Sequence, residues 1–143
     1  MVTELPVNIL GLIPHRPPML LVDRLVSLTG QEAVSESVFS AESIFLKGDG
    51  SVEEAVLFEM MAQTFAAATA VESGGEGPKT GYLVGLKRVI IYGSAQAGVP
   101  VAVRVKTISQ VDDFSVVEGE VHQGGRLLAV GQVTIFVPRE AAV

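Results

Sequence analysis

The chain has 143 residues, the length of one ordinary domain, and 48% of its residues are hydrophobic while 18% are charged. Its formal net charge of −6 and its scattered basic residues argue against a protein that binds nucleic-acid phosphates through a basic surface. With no cysteine and two histidines, the chain cannot form disulfides, thiolate nucleophiles, or zinc sites made from cysteines or three histidines.

The sequence shows no sign of export or of membrane insertion. The start, MVTELPVNIL, carries an acidic residue and lacks the positive charge that opens a signal peptide. The longest apolar run contains Glu59 and Gln63 and is shorter than the roughly 20 residues that cross a bilayer. We therefore expect one cytoplasmic domain over residues 1–143, with no membrane or nucleic-acid partner.

The N-terminal third predicts two strands. Residues 5–19 form an apolar lead-in that ends in a proline-rich turn. MLLVDRLVSL (19–28) is typical of a first strand, residues 29–31 of a turn, and EAVSESVFSA (32–41) of a second strand. The glycine-bearing stretch FLKGDG (45–50) predicts a loop.

The middle of the chain predicts one long helix. Ser51 and Glu54 have the spacing of a capping box, so we expect the helix to run from about Val52 to Glu72. The glycine-rich stretch GGEGP (74–78) should end it.

The C-terminal half predicts four strands, with a hairpin turn at Gly124 and Gly125. The four strand-like runs are residues 81–93, 99–111, 114–123 and 126–137. A helix that is apolar on nearly every side must be surrounded, which predicts an α+β fold with an antiparallel sheet wrapped around one long central helix. Because such a sheet leaves open edges and exposed apolar surface, we expect a homodimer.

The first candidate for chemistry is Glu59, the sole charged residue in AVLFEMMAQTFAAATAV (55–71). Gln63 lies four positions later and shares its helix face. Burial raises the pKa of a carboxyl group, and a carboxyl near neutrality can exchange protons at pH 7. The alternative is that Glu59 caps a buried backbone group or pairs with an arginine, while Gln63 fills a polar pocket.

The second candidate is His15, which lies in the proline-rich turn IPHRPPM (13–19). The alternative is an ordinary turn histidine exposed to solvent. By default Arg16, Asp23 and Arg24 are surface or ion-pair residues, and His122, beside the hairpin turn, should face solvent.

Two segments, IPHRPPMLLVDRLVSL (13–28) and LFEMMAQTFAA (57–67), resemble the FabZ-like 3-hydroxyacyl-acyl-carrier-protein dehydratases. The first is similar to that family's Leu-Pro-His-Arg-x-Pro opening, and the second to its Glu-Ala-Met-Ala-Gln helix. The resemblance extends more weakly through residues 85–93, 97–100 and 119–133. It implies a hotdog-fold homodimer, often further assembled, with active sites at the subunit interface.

One position departs from that family. Its catalytic pair is a histidine in a His-Phe-Pro-Gly stretch and, fourteen positions later, the helix glutamate. The chain has FLKG (45–48) there, so that Phe45 replaces the histidine while Gly48 retains the glycine. This pattern is similar to the ApeP-like branch of hotdog dehydratases associated with aryl-polyene pathways.

The resemblance implies dehydration of a 3-hydroxyacyl group, in fatty-acid or aryl-polyene-type biosynthesis, on an acyl carrier protein or coenzyme A thioester. Glu59 and His15 would be the catalytic acid–base groups, and we expect neither a metal nor a cofactor. Gln63 would orient Glu59 or the substrate hydroxyl, and Phe45 and Gly48 would lie at the substrate. The free N–H groups near Gly50 and Ser51 would suit a thioester carbonyl.

Two further features carry weaker expectations. Gly81 and Gly85 lie in a predicted strand, where a glycine marks either the close approach of a ligand or local packing. Of the two, Gly85 is the candidate for substrate binding. Lys87 and Arg88 could meet an acidic carrier protein, or simply form a solvated face. Two other functions stay open: a catalytically silent acyl-binding partner of an active hotdog dehydratase, which Phe45 suggests, and a hotdog thioesterase.

Overall fold

The computed structural model describes residues 5–74 and 81–138, which form one antiparallel sheet and one long helix. The strands are β1 (Val7–Asn8), β2 (Arg24–Thr29), β3 (Glu32–Ser37), β4 (Tyr82–Ile91), β5 (Val101–Val111), β6 (Phe114–Gln123) and β7 (Arg126–Phe136); the helix is α1 (Ala55–Glu72), and a short 3-10 helix covers Ile9–Gly11. The strand order is β1-β2-β3-β5-β6-β7-β4. Every strand from β2 to β7 contacts α1, so the predicted sheet around a central helix is confirmed.

The turns and the end of α1 follow the sequence closely. Gly124 and Gly125 have φ angles of 59° and 78°, the left-handed values that a two-residue hairpin turn requires. α1 ends at Glu72 as predicted, and Gly74 follows with a φ angle of 81°. The rest of the predicted terminator, residues 75–78, lies outside the described residues. Within residues 5–74 and 81–138, no helical segment combines the length and the hydrophobicity of a membrane span.

The predicted capping box is wrong. α1 begins at Ala55, not at Val52, and the residue before it makes no side-chain capping bond. Ser51 instead forms an isolated β-bridge with Gln96, and its hydroxyl donates to Oδ1 of Asp49 at 2.6 Å. These tertiary and loop contacts occupy the groups that a local cap would have used, and they delay the start of the helix.

The first predicted strand is too long at its start. The backbone of residues 19–23 does not join β2, because two of its polar groups bond to a helix side chain. The Leu21 N–H donates to Oε1 of Gln63, and the Met19 carbonyl accepts from Nε2 of the same residue. The second predicted strand ends early, at Ser37, because the Asp23 carboxylate accepts the next N–H at 2.8 Å.

Two facing glycines let α1 lie close to the sheet. Gly119 and Gly131 are directly opposite each other in the β6–β7 ladder. A Cβ atom on Gly119 would lie 2.2 Å from Sδ of Met61, and one on Gly131 would lie 3.1 Å from Phe58. A larger residue at either position would require the Met61 or Phe58 side chain to move, so this glycine pair lets helix side chains pack directly on the sheet.

The outer strand β4 exposes apolar side chains to solvent. It lies at one end of the sheet order and pairs with β7 on its inner side. Its exposed large apolar residues are Tyr82, Val84, Leu86, Val89, Ile90 and Ile91. A long edge strand with exposed apolar side chains and unpaired backbone groups can pair with a strand of another chain.

Candidate active site

The turn that carries His15 is held by its own backbone and by Arg16. Ile13 is completely buried and anchors the start of the turn in the core. The Arg16 guanidinium donates to the carbonyls of Ile13 at 3.0 Å and His15 at 2.7 Å. The backbone carbonyl of Arg16 accepts the Met19 N–H. The proline-rich sequence thus becomes a tight loop that presents the imidazole toward α1.

Glu59 lies on the face of α1 that meets this turn. Its side chain is 30% exposed, so the burial that its apolar neighbours in sequence suggest is only partial. The neighbours on the helix, Phe58 and Met60, are buried. The carboxylate therefore sits at the boundary between the core and solvent.

The structure brings His15 and Glu59 together. Nε2 of His15 lies 3.7 Å from Oε2 of Glu59, and the imidazole is 20% exposed. Nδ1 of His15 is buried and has no hydrogen-bond partner among the described residues. The distance exceeds a direct hydrogen bond but brings an imidazole and a carboxylate to one small area, which is the pairing that acid–base chemistry needs.

Gln63 is the third member of this group. It is only 1% exposed, and its Nε2 donates to Oε2 of Glu59 at 3.0 Å. The same amide also holds the backbone of Met19 and Leu21, as described above. Gln63 therefore contacts Glu59 and the segment after the His15 turn, not the open surface.

The other proposed substrate residues lie in different places. Phe45 lines a surface groove of about 270 Å³ beside the proline-rich turn. Gly48 is exposed in the following loop, and Gly85 lies in β4, where an added Cβ would make ordinary contact with Thr134 at 3.6 Å. Gly81 precedes β4 and has less space, because an added Cβ there would lie 3.2 Å from a side-chain carbon of Ile135.

None of the described contacts joins Phe45, Gly48 or Gly85 to His15 or Glu59. The groove beside Phe45 is lined by Pro17, Pro18, Leu20, Leu21, Asp23, Val38, Phe39, Ser40, Glu42, Ser43, Ile44 and Phe45. It shares the proline-rich turn with the His15–Glu59 pair without including either residue.

The prediction that free N–H groups near Gly50 and Ser51 can bind a thioester carbonyl is wrong. The Ser51 N–H donates to Oδ1 of Asp49 at 2.9 Å, and the Gly50 N–H donates to the Lys47 carbonyl at 2.9 Å. These residues also precede the helix rather than open it. Both donors are already used in the loop, so neither is free to bind a thioester carbonyl.

The loop before α1 holds a charged group that sequence reasoning missed. Nζ of Lys47 donates to Oε1 of Glu54 at 2.7 Å, and the Ser94 hydroxyl donates to the same oxygen at 3.0 Å. These contacts, led by the lysine, hold the pKa of Glu54 below its ordinary value, while the glutamate raises the pKa of Lys47. The Ser51 hydroxyl similarly lowers the pKa of Asp49. The fold of the loop brings these residues together, so no local sequence motif predicts the pairs.

Other polar residues lie on the surface, away from the His15–Glu59 pair. Arg24 forms an ion pair with Glu36 across β2 and β3. His122 is partly exposed on β6, with Nε2 3.2 Å from a carboxylate oxygen of Glu120. Lys87 and Arg88 are exposed on β4, and Arg88 has a φ angle of 53° at an irregularity of the strand.

An antiparallel sheet wrapped around one long helix is the architecture of the hotdog fold, and here a carboxylate and an imidazole meet at the surface of that helix. The chain belongs to the ApeP-like family, whose model, described as ApeP dehydratase, matches residues 7–143. The resemblance to FabZ-like dehydratases and to their ApeP-like branch is therefore confirmed.

Two curated relatives are FabZ 3-hydroxyacyl-acyl-carrier-protein dehydratases. The protein from Natranaerobius thermophilus is 35% identical over 128 residues, which cover 86% of this chain and 89% of the relative. The protein from Syntrophotalea carbinolica is 26% identical over 138 residues, covering 92% and 94%. Among solved structures, the dehydratase heterocomplex ApeI:P from Xenorhabdus doucetiae matches with a TM-score of 0.83 at 23% identity, covering 96% of this chain and 94% of that one. That match confirms the hotdog fold.

Proposed function

We propose that this protein dehydrates a 3-hydroxyacyl thioester carried on acyl carrier protein to the trans-2-enoyl thioester. The observation that carries the proposal is the pairing of His15 and Glu59, 3.7 Å apart at a partly open surface. The FabZ relatives support the substrate class, because their names specify 3-hydroxyacyl groups on acyl carrier protein.

The reaction needs one group to take the C2 proton and one to protonate the departing C3 hydroxyl. In our proposal the Glu59 carboxylate accepts the C2 proton, and Nε2 of the protonated His15 gives its proton to the hydroxyl, which leaves as water. The electron pair of the C2–H bond forms the new double bond. The proton on Glu59 then returns to His15, which restores both groups.

The pairing of His15 with Glu59 within one chain would allow dehydration even though Phe45 replaces the family's usual histidine. Phe45 cannot exchange a proton, whereas His15 offers an imidazole at the carboxylate from within the same chain. Phe45 lines the adjacent groove, which has both apolar and polar walls, and we propose that this groove receives part of the acyl chain or its pantetheine arm.

We also propose that the protein forms a homodimer through the edge of β4. The strand is ten residues long, and its exposed side chains are mostly apolar. Pairing with a second β4 would satisfy its open backbone groups and cover these side chains. The partner in the solved ApeI:P assembly is a different chain, so a second hotdog protein is the competing occupant of this edge.

The test is turnover by the purified chain alone. A 3-hydroxybutyryl thioester and a crotonyl thioester would be supplied separately, with enoyl absorbance and mass spectrometry following the product. We expect dehydration of the first and hydration of the second. Release of free thiol without an enoyl product would indicate a thioesterase, and turnover only with a second hotdog protein would indicate a partner subunit; either result would overturn the proposal.

A further inference from the structure

The side of the sheet that faces away from α1 carries opposite charges on two neighbouring strands. Buried and exposed residues alternate along β5 and β6, so Arg104 and Lys106 of β5 and Glu118 and Glu120 of β6 point outward. In the ladder, Lys106 lies directly opposite Glu118, and Arg104 lies directly opposite Glu120. A cationic strand and an anionic strand therefore run side by side on this surface.

These opposite charges are neighbours, but they leave a space between them. Within the described part of the chain, Arg104, Lys106 and Glu118 form no ion pair. Glu120 has His122 as its ion-pair partner, 3.2 Å away on the same strand. A cleft of about 140 Å³ lies among the charged side chains of β5 and β6. Their charged groups are thus available to charges from another molecule.

The same surface has an apolar end. Val111 of β5 lies directly opposite Phe114 of β6, and their exposed fractions are 67% and 48%. The ring of Phe114 lies 5.0 Å from that of Phe136, which in turn lies 6.4 Å from the ring of Tyr82. These four residues form one row across β5, β6, β7 and β4. An exposed apolar row of this length is typical of a surface that another protein covers.

A second copy of the chain fits this surface through a two-fold axis that runs along the strands, between β5 and β6. Two sheets that pack face to face keep their strands within about 30° of each other. Rotation about this axis places the outward side chains of β5 over those of β6 in the other copy. The rows that meet are Lys106 with Glu118, Arg104 with Glu120, and Val111 with Phe114. An axis perpendicular to the strands would instead place cation over cation.

We propose that the outward face of β5 and β6 is a self-association surface whose occupant is a second copy of this chain. The three rows each supply their own complement, which a two-fold contact requires. The surface lies on the opposite side of the sheet from α1, so the contact leaves the His15–Glu59 pair and the β4 edge open. Because exposed ion pairs each contribute little, the association is weak and separates on dilution during chromatography.

Exchange of the charges tests the proposal by sedimentation equilibrium. The weight-average mass of the wild type should rise toward about twice its dilute value between about 10 µM and about 1 mM protein. Arg104→Glu with Lys106→Glu makes the surface anionic, and Glu118→Lys with Glu120→Lys makes it cationic. Neither double variant should associate with itself, because like charges then meet. An equimolar mixture of the two should associate more strongly than the wild type, and the variant with all four substitutions should associate as the wild type does.

The two double variants also control for net charge, because they change it in opposite directions. Repulsion between whole molecules therefore cannot explain a loss of association in both. Glu53→Lys with Glu72→Lys, at exposed positions before α1 and at its end, changes the net charge as the cationic variant does and should still associate.

The mass measurement requires no turnover, so it stands apart from the proposed function. If the wild type proves inactive but its mass rises as expected, the dehydratase proposal fails and the contact persists. A wild-type mass that stays constant with concentration would overturn the contact. Wild-type association of either double variant, or no association in their mixture or in the variant with all four substitutions, would also overturn it.

Discussion

Nε2 of His15 lies 3.7 Å from Oε2 of Glu59, although one residue belongs to a proline-rich turn and the other to the central helix. Each side chain has an ordinary structural explanation when considered alone. Together they place an imidazole and a carboxylate at one partly exposed point on the helix. The chemistry proposed for this chain depends on that meeting.

Replacing Glu59 by glutamine should abolish proton exchange without disturbing the fold. We expect turnover of the crotonyl thioester to fall about 10²–10⁴-fold, the range for loss of a general acid–base group. The Tm should stay near that of the wild type, because the side chain is partly exposed and glutamine retains an oxygen acceptor for Gln63. The control is Glu53→Gln, an exposed glutamate just before α1, which should retain full turnover. An active Glu59→Gln enzyme would remove the proposed mechanism.

Removing the imidazole of His15 should lower activity more than stability. His15→Ala should reduce kcat by about 10²-fold or more, while the Tm changes little, since no described hydrogen bond holds the ring. The matched control is His122→Ala, which removes the chain's other histidine from β6. A fall in Tm with unchanged kcat would make His15 a structural residue of its turn.

A charge on the β4 edge should separate the proposed homodimer. Leu86 is 51% exposed, and Leu86→Glu would place a carboxylate in the apolar surface that a second copy would cover. Light scattering after size-exclusion chromatography should show a dimer for the wild type and a monomer for the variant. Ile108→Glu, at a similarly exposed position on β5, should remain a dimer. Dimers in both variants would exclude β4 as the interface.

The facing glycines should tolerate a methyl group poorly. In Gly119→Ala the new Cβ would overlap Met61, so we expect a loss of about 1–3 kcal/mol in the free energy of unfolding. Gly85→Ala, where the new Cβ meets Thr134 at an ordinary distance, should stay within about 0.5 kcal/mol of the wild type. Urea unfolding followed by circular dichroism measures both. Equal losses would mean that the helix does not depend on the close approach at Gly119.

The Lys47–Glu54 pair should make stability depend on pH at the acid end. Its hydrogen bonds lower the pKa of Glu54 from an ordinary value of 4.5, so the unfolded chain binds this proton more readily than the folded one. The contribution of the lowered Glu54 pKa to the free energy of unfolding is therefore present above pH 4.5. It is lost as the pH falls through the pKa of Glu54 in the folded chain. The same contact raises the pKa of Lys47 above 10.5, so its contribution is lost only as the pH rises beyond that value.

The measurement compares urea midpoints of the wild type and Lys47→Met. The variant should unfold at lower urea at neutral pH, and the gap should narrow as the pH is lowered well below 4.5, where Glu54 is protonated in both states. Lys106→Met, an exposed lysine on β5, serves as the control for loss of a surface charge. If the difference in urea midpoint between the wild type and Lys47→Met stays constant through the acid range, the Lys47–Glu54 pair does not cause that difference.

The order of strands and helix could be predicted because short-range patterns decide it. Glycine, proline and polar breaks mark the strand ends, and the unbroken apolar run of α1 demands a surrounding sheet. The errors occurred where long-range contacts compete with local ones. Ser51 joins a bridge to Gln96 instead of capping the helix, and Gln63 takes the backbone bonds that residues 19–21 would have given to a strand.

By itself the sequence determined the architecture, the family resemblance, and the identity of Glu59 and His15 as the residues to examine. Only the tertiary structure decided that these two meet, that Gln63 donates a hydrogen bond to the carboxylate, and that Phe45 lines a separate groove. The physical reason is that periodicity and turn chemistry act over a few residues. The position of an imidazole relative to a carboxylate depends instead on how a turn packs against a helix, and hydrogen bonds between distant segments set that packing.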